Sequence, residues 1–166
     1  RVSCPFSISG SPDIVLVTLD TTRADVVSDP QIAPNLAALA GRGVAFINAW
    51  SAASSTTASH ASILTGLPVE QHGATTNRSV LASELDTLAE QLAARGYQTA
   101  ASVTVNHIGH EAGFGQGFGR FRPATPGDSL DGAASIDQVL GWLDAWSASG
   151  ERPFFLWVHL FDPHTP

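Results

Sequence analysis

Apolar and polar positions change period along this chain, with short β-branched runs giving way to stretches whose apolar residues stand three and four apart. Residues 13–19, a β-branched run after Pro12, have the pattern of a buried strand. Residues 34–42 predict a helix with Leu36 and Leu39 on one face, and Gly43 leads into 44–50, a second strand candidate. A short helix is expected over 59–65, with a cluster of hydroxyls ahead of it for its cap and Gly66 to close it. The best helix is 83–92, which has Ser83 as cap, acidic residues in its first turn and Leu85, Leu88 and Leu92 at helical spacing. A strand follows over 97–105, a glycine-rich loop over 113–119, and a helix over 136–146 with Ile136, Val139, Leu140 and Leu143 facing inward. Residues 153–161 read as a final apolar strand. Strands and helices alternating at these lengths predict an α/β fold, a doubly wound and mainly parallel sheet flanked by helices.

Composition narrows the function classes. At 166 residues the chain can bury a sizeable core as one domain, and no repeat or linker interrupts it. Eight basic against fifteen acidic residues give a net charge of −7 with no basic run, which argues against a nucleic-acid surface. No apolar run approaches the ~20 residues that span a bilayer. The lone cysteine, Cys4, rules out an intrachain disulfide. The chain begins with Arg1, shows no signal peptide and contains no Met, which points to a processed product or a piece of a longer chain.

Candidate chemistry gathers at strand ends, where open α/β sheets bind ligands. Asp20 follows the first strand, where a carboxylate either caps the next turn or holds a hard divalent cation. His107 follows the strand over 97–105 and His164 follows the last strand; such loop histidines are commonly just solvated. Residues 54–66 place hydroxyls, including Thr56, and His60 around a helix N-terminus, whose free N–H groups and partial positive charge suit a phosphate or sulfate. Alone, that segment is an ordinary capped helix.

Taken in order, the motifs resemble the N-terminal part of sulfatase-like enzymes in the alkaline phosphatase superfamily. The matching pieces are residues 14–25, Ala33-Pro34-Asn35-Leu36, 43–49, 59–66, His72-Gly73, Leu88-Ala89-Glu90, 96–100 and 161–166. The resemblance implies an alkaline-phosphatase-like fold incomplete at its C-terminus. Residues 1–11 would be an N-terminal extension, and 12–166 the N-terminal portion of a sulfatase-like catalytic domain. It implies a metal-dependent hydrolase of small-molecule or glycan sulfate or phosphate esters. It also favours a periplasmic or extracellular location. Asp20 matches the first metal-binding aspartate, usually for calcium, and Thr21 stands where many members have a second one. Registering on Ser59 sets Thr56 at the nucleophile, a metal-facing position, and His60 at the arginine of the family's Cys-x-Pro-Ser-Arg signature. His107 resembles the histidine of a His-Leu-Gly element, with Val105 where a lysine is expected, and His164 resembles a histidine that contacts the ester.

The departures carry chemistry. Threonine has a methyl on its β-carbon, so its oxidation would give a ketone, and formylglycine is not expected at Thr56. A threonine alkoxide remains available, as in phosphoester hydrolases or phosphoryl transferases. His60 replaces a permanent charge with an imidazole, which weakens anion clamping. The Asp-His-Gly segment that completes the family's metal site is absent. The isolated chain is therefore expected to bind metal poorly and turn over little, and a non-catalytic binding homologue stands as the third reading.

Overall fold

The computed structural model describes residues 10–124, 132–149 and 152–164. The expected extension over 1–11 lies almost wholly outside them, as do Thr165 and Pro166. Four parallel strands, β1 (Ile14–Leu19), β2 (Gln98–Val103), β3 (Arg120–Arg122) and β4 (Phe154–Leu160), form one sheet in the order β1-β4-β2-β3. Helices α1 (Ala24–Val27), α2 (Pro34–Ala40), α3 (Thr56–Thr65), α4 (Val69–His72), α5 (Leu88–Ala94) and α6 (Gly132–Ser149) connect them, with a 3-10 turn at Asn106–Ile108. This is the expected parallel sheet flanked by helices.

Period-2 alternation along the central strand sorts the core into two layers. Phe155 and Trp157 of β4 pack with Ala61 and Leu64 of α3 and with Ala89 and Leu92 of α5. Leu156 and Val158 point the other way, to Val139 and Trp146 of α6. Both faces of β4 are thus covered, and the same alternation puts His159 on the α3 side of the sheet.

Several expectations need correction. β1 is an edge strand, and Val15 and Val17 are each 53% exposed, so its β-branched run is buried on one side only. Residues 44–50 form no strand: they pair with nothing in the sheet, and Phe46, Ile47 and Trp50 are 82%, 91% and 90% exposed. Helix α2 exists, but it buries no residue and its Leu39 faces outward. The helix expected from Ser83 starts at Leu88, because Thr87 and Glu90 close a reciprocal capping box there. Helix α6 is longer than expected and turns Val139 and Trp146 inward, leaving Ile136 and Leu140 exposed.

The glycine-rich loop holds one further surprise, the short strand β3 just beyond it. At Gly117, φ is +78° and a Cβ would collide with the Glu90 backbone nitrogen, so only glycine lets the loop close over α5.

Candidate functional site

Parallel strands bring the ends of β1 and β4 together at their carboxyl edge. Asp20 follows β1 directly, and its backbone N–H donates to the Leu160 carbonyl at 2.9 Å. Its side chain is largely buried. The next residue, Thr21, has φ +48°, a left-handed conformation that a β-branched residue adopts at a cost of about 1–3 kcal/mol.

Helix α3 enters this corner by its first turn and begins at Thr56, three residues earlier than the patterning suggests. The Thr56 hydroxyl donates to Asp20 Oδ2 at 3.2 Å. Ser55, the N-cap residue, makes no side-chain cap; instead Asn77 Oδ1 accepts the Thr57 N–H at 3.0 Å. The Thr57 hydroxyl donates to the His107 carbonyl at 2.8 Å, tying the helix to the 3-10 turn after β2.

His60 lies one turn on and is buried. Its Nδ1 donates to the Thr56 carbonyl at 2.8 Å, which leaves Nε2 as a bare acceptor with no partner. Its ring meets His159 edge-on, with centroids 4.7 Å apart. Burial pushes the His60 imidazole below its ordinary pKa, and the Thr56 carbonyl and Asp20 oppose this only partly. His159 is completely buried, with Nδ1 2.8 Å from Thr18 Oγ1 and Nε2 3.6 Å from Asp20 Oδ2. That second distance is an electrostatic contact, too long for a hydrogen bond. Burial, with the neighbouring His60 adding to it, lowers the His159 pKa to about 4 despite Asp20. Both rings are neutral near pH 7.

A pocket of about 400 Å³ opens here, lined by Thr18, Asp20, Thr22, Thr56, Ser59 and His60 among others. Among the described residues, none that line it is Arg or Lys. The structure therefore brings Asp20, Thr56 and His60 together. His107 reaches the site through its backbone carbonyl, while its side chain is exposed. The exposed His164 ring stacks on Phe161 with centroids 4.3 Å apart. Neither side chain lines the pocket.

Sequence reasoning missed His159, Thr18 and Asn77. His159 alone left a signal, a histidine on the α3-facing register of an otherwise apolar strand.

Among the described residues no group of three or more His, Cys, Asp and Glu could hold a metal ion. One carboxylate and one hydroxyl fall well short of the six or more oxygens that calcium takes. The described residues thus do not make a complete hard-cation site.

The parallel sheet flanked by helices is an α/β fold of the alkaline phosphatase type. The sulfatase family model matches residues 12–166, and the chain belongs to that family. No curated protein matches in sequence. Several solved structures are similar, and three of them illustrate the likeness. The phosphonate monoester hydrolase of Agrobacterium radiobacter is 20% identical with a TM-score of 0.74, over 93% of this chain and 42% of its own. BT4656, solved with its substrate D-glucosamine-2-N,6-O-disulfate, is 21% identical with a TM-score of 0.75, over 93% and 35%. BT1596, a 2-O GAG sulfatase, is 22% identical with a TM-score of 0.65, over 93% and 36%. The chain spans well under half of the length of these proteins. Among the described residues no helix is long and apolar enough to cross a membrane.

Proposed function

We propose that this chain carries the nucleophile-bearing part of an ester hydrolase acting on an oxyanion ester, with Thr56 as the attacking residue. The observation that carries the reading is the Thr56 hydroxyl donating to Asp20 Oδ2 at the mouth of the strand-end pocket. In the proposed step the Thr56 Oγ1–phosphorus bond forms as the bond from phosphorus to the ester oxygen breaks. Asp20 accepts the hydroxyl proton and returns it, through water, to the leaving alkoxide or phenoxide. Water then cleaves the threonyl ester and restores Thr56. His60 holds the Thr56 backbone through its carbonyl. The exposed His107 and His164 side chains, which do not line the pocket, are candidates for contact with the ester by resemblance alone.

Threonine favours a phosphate or phosphonate ester over a sulfate ester. A sulfated threonine has no aldehyde hydrate through which to expel sulfate. A divalent cation, calcium by resemblance, would neutralise anionic charge at Asp20 and Thr56, and no step here is routed through it.

The absence of Arg and Lys among the described lining residues favours a second reading, a homologue that binds an ester without turning it over. Aryl phosphate, aryl phosphonate and aryl sulfate hydrolysis separates the two. Slow turnover of the phosphorus esters, lost at least about 1000-fold in the near-isosteric Thr56→Val, supports the enzyme. Saturable ester binding with no Thr56-dependent product supports the binding homologue.

A further inference from the structure

His159 is the last residue before Leu160 on β4, and nothing in the proposed step uses it. Its surroundings nevertheless fix it from every side. Its backbone carbonyl accepts from the Thr104 hydroxyl at 3.1 Å and from the Thr104 N–H at 3.3 Å. Its ring stands in register beside Thr18 of β1, whose Oγ1 is 2.8 Å from Nδ1. The same Oγ1 accepts the indole N–H of Trp157 at 3.1 Å.

Counting protons along this row decides the tautomer. An indole N–H can only donate, so it occupies one lone pair of Thr18 Oγ1. If His159 Nδ1 also donated, the Thr18 hydroxyl proton would have no protein acceptor among the described residues and would have to turn to the pocket. If Thr18 donates to Nδ1, the indole and hydroxyl protons are both placed, and the ring proton sits on Nε2, which has no hydrogen-bond partner among the described residues and only the Asp20 carboxylate to face. That atom faces Asp20 Oδ2 at 3.6 Å, the oxygen that also takes the Thr56 hydroxyl. The arrangement of His60 agrees, because its Nε2 is bare. A second bare nitrogen on His159 would set two lone pairs and a carboxylate against one another in one buried space.

We infer that His159 is a positioning residue, locked by Trp157 and Thr18 in the Nε2–H tautomer so that it orients the Asp20 carboxylate toward Thr56. The catalytic consequence rests on the Thr56 reading; the locked tautomer and the oriented carboxylate do not. A buried neutral ring suits the task, since its N–H dipole aligns Oδ2 without forming the competing ion pair that a Lys or Arg would make.

The test is nitrogen-15 NMR of the histidine-labelled chain at pH 7, with three-bond couplings to read the Asp20 χ1 rotamer. The wild-type chain should show His159 protonated on Nε2 and a single Asp20 rotamer. Thr18→Val removes the hydroxyl donor and should move the proton to Nδ1, whereas Thr18→Ser should keep it on Nε2. His159→Gln restores an N–H near the Nε2 position and should keep Asp20 in one rotamer; His159→Leu should let it average. Thr18→Val leaves the ring in place, so the claim stays testable should His159→Leu not fold. A wild-type Nδ1–H tautomer or imidazolium, or an Asp20 rotamer unaltered in folded His159→Leu, overturns the inference. Turnover is measured alongside: with an active wild type, His159→Leu should lower kcat more than it raises KM, with His159→Gln rescuing. The expected tautomer and rotamer, with no phosphoryl group trapped on Thr56 by an aryl phosphate, would contradict the Thr56 reading and leave the positioning role standing.

Discussion

At the scale of residues, the site is built from side chains that give up charge. His60 and His159 are held neutral by burial beside Asp20, and this makes folding sensitive to acid. In the unfolded chain a histidine takes up its proton as pH falls through 6.5, while folded His159 resists until about 4. Stability is therefore full above pH 6.5 and is lost progressively between 6.5 and about 4, by an amount on the order of 3 kcal/mol for this one group. Urea unfolding midpoints between pH 7.5 and 4.5 should fall more steeply for wild type than for His159→Gln, and parallel slopes would contradict this. Asp20, Thr56 and His60 could be found in the sequence because they sit in local motifs beside a strand end or a helix start. Thr18 and Asn77 could not, because each acts across strand pairing or loop return, over distances that local periodicity does not report; His159 shows only as a histidine within an apolar run, with its partners hidden in the same way.

Elements were legible where their own side chains decide them. β4 and β2 are central and buried, and the apolar run of β4 stands out. The fifth helix shows the limit: Leu85, Leu88 and Leu92 fit one helical stripe, yet Leu85 lies outside because the Thr87–Glu90 box starts the helix later. Thr87 also donates to the Gln116 carbonyl at 3.3 Å, so it joins the helix start to the glycine loop. Thr87→Ala should cost about 1–2 kcal/mol of stability in chemical denaturation. An unchanged midpoint would mean that the loop alone sets the start of α5. Residues 44–50 have strand composition but no partner strand among the described residues, and a strand without a ladder is only an extended segment.

Across the whole molecule, apolar surface is unevenly covered. Helices pack both faces of β4, whereas Val15 and Val17 on the β1 edge, Leu39 on α2, and Phe46, Ile47 and Trp50 are exposed. Apolar residues exposed in such number commonly mark an interaction surface or an aggregation liability. The 166-residue chain should bind a hydrophobic dye in its folded state and self-associate as its concentration rises. Phe46→Ser combined with Trp50→Ser should reduce both effects with little change in the unfolding midpoint. A monomer with no dye binding would contradict that.

The central claim is that the Thr56 hydroxyl, bound to Asp20, is the group that attacks. Single-turnover trapping tests it without requiring fast release. The chain is incubated with an aryl phosphate ester and quenched in acid, and its peptides are mapped by mass spectrometry. The expected result is a phosphoryl group on Thr56, absent from Thr56→Val and diminished in Asp20→Asn. Aryl alcohol released at the wild-type rate by Thr56→Val, or a phosphoryl group on another residue in its place, would contradict the account.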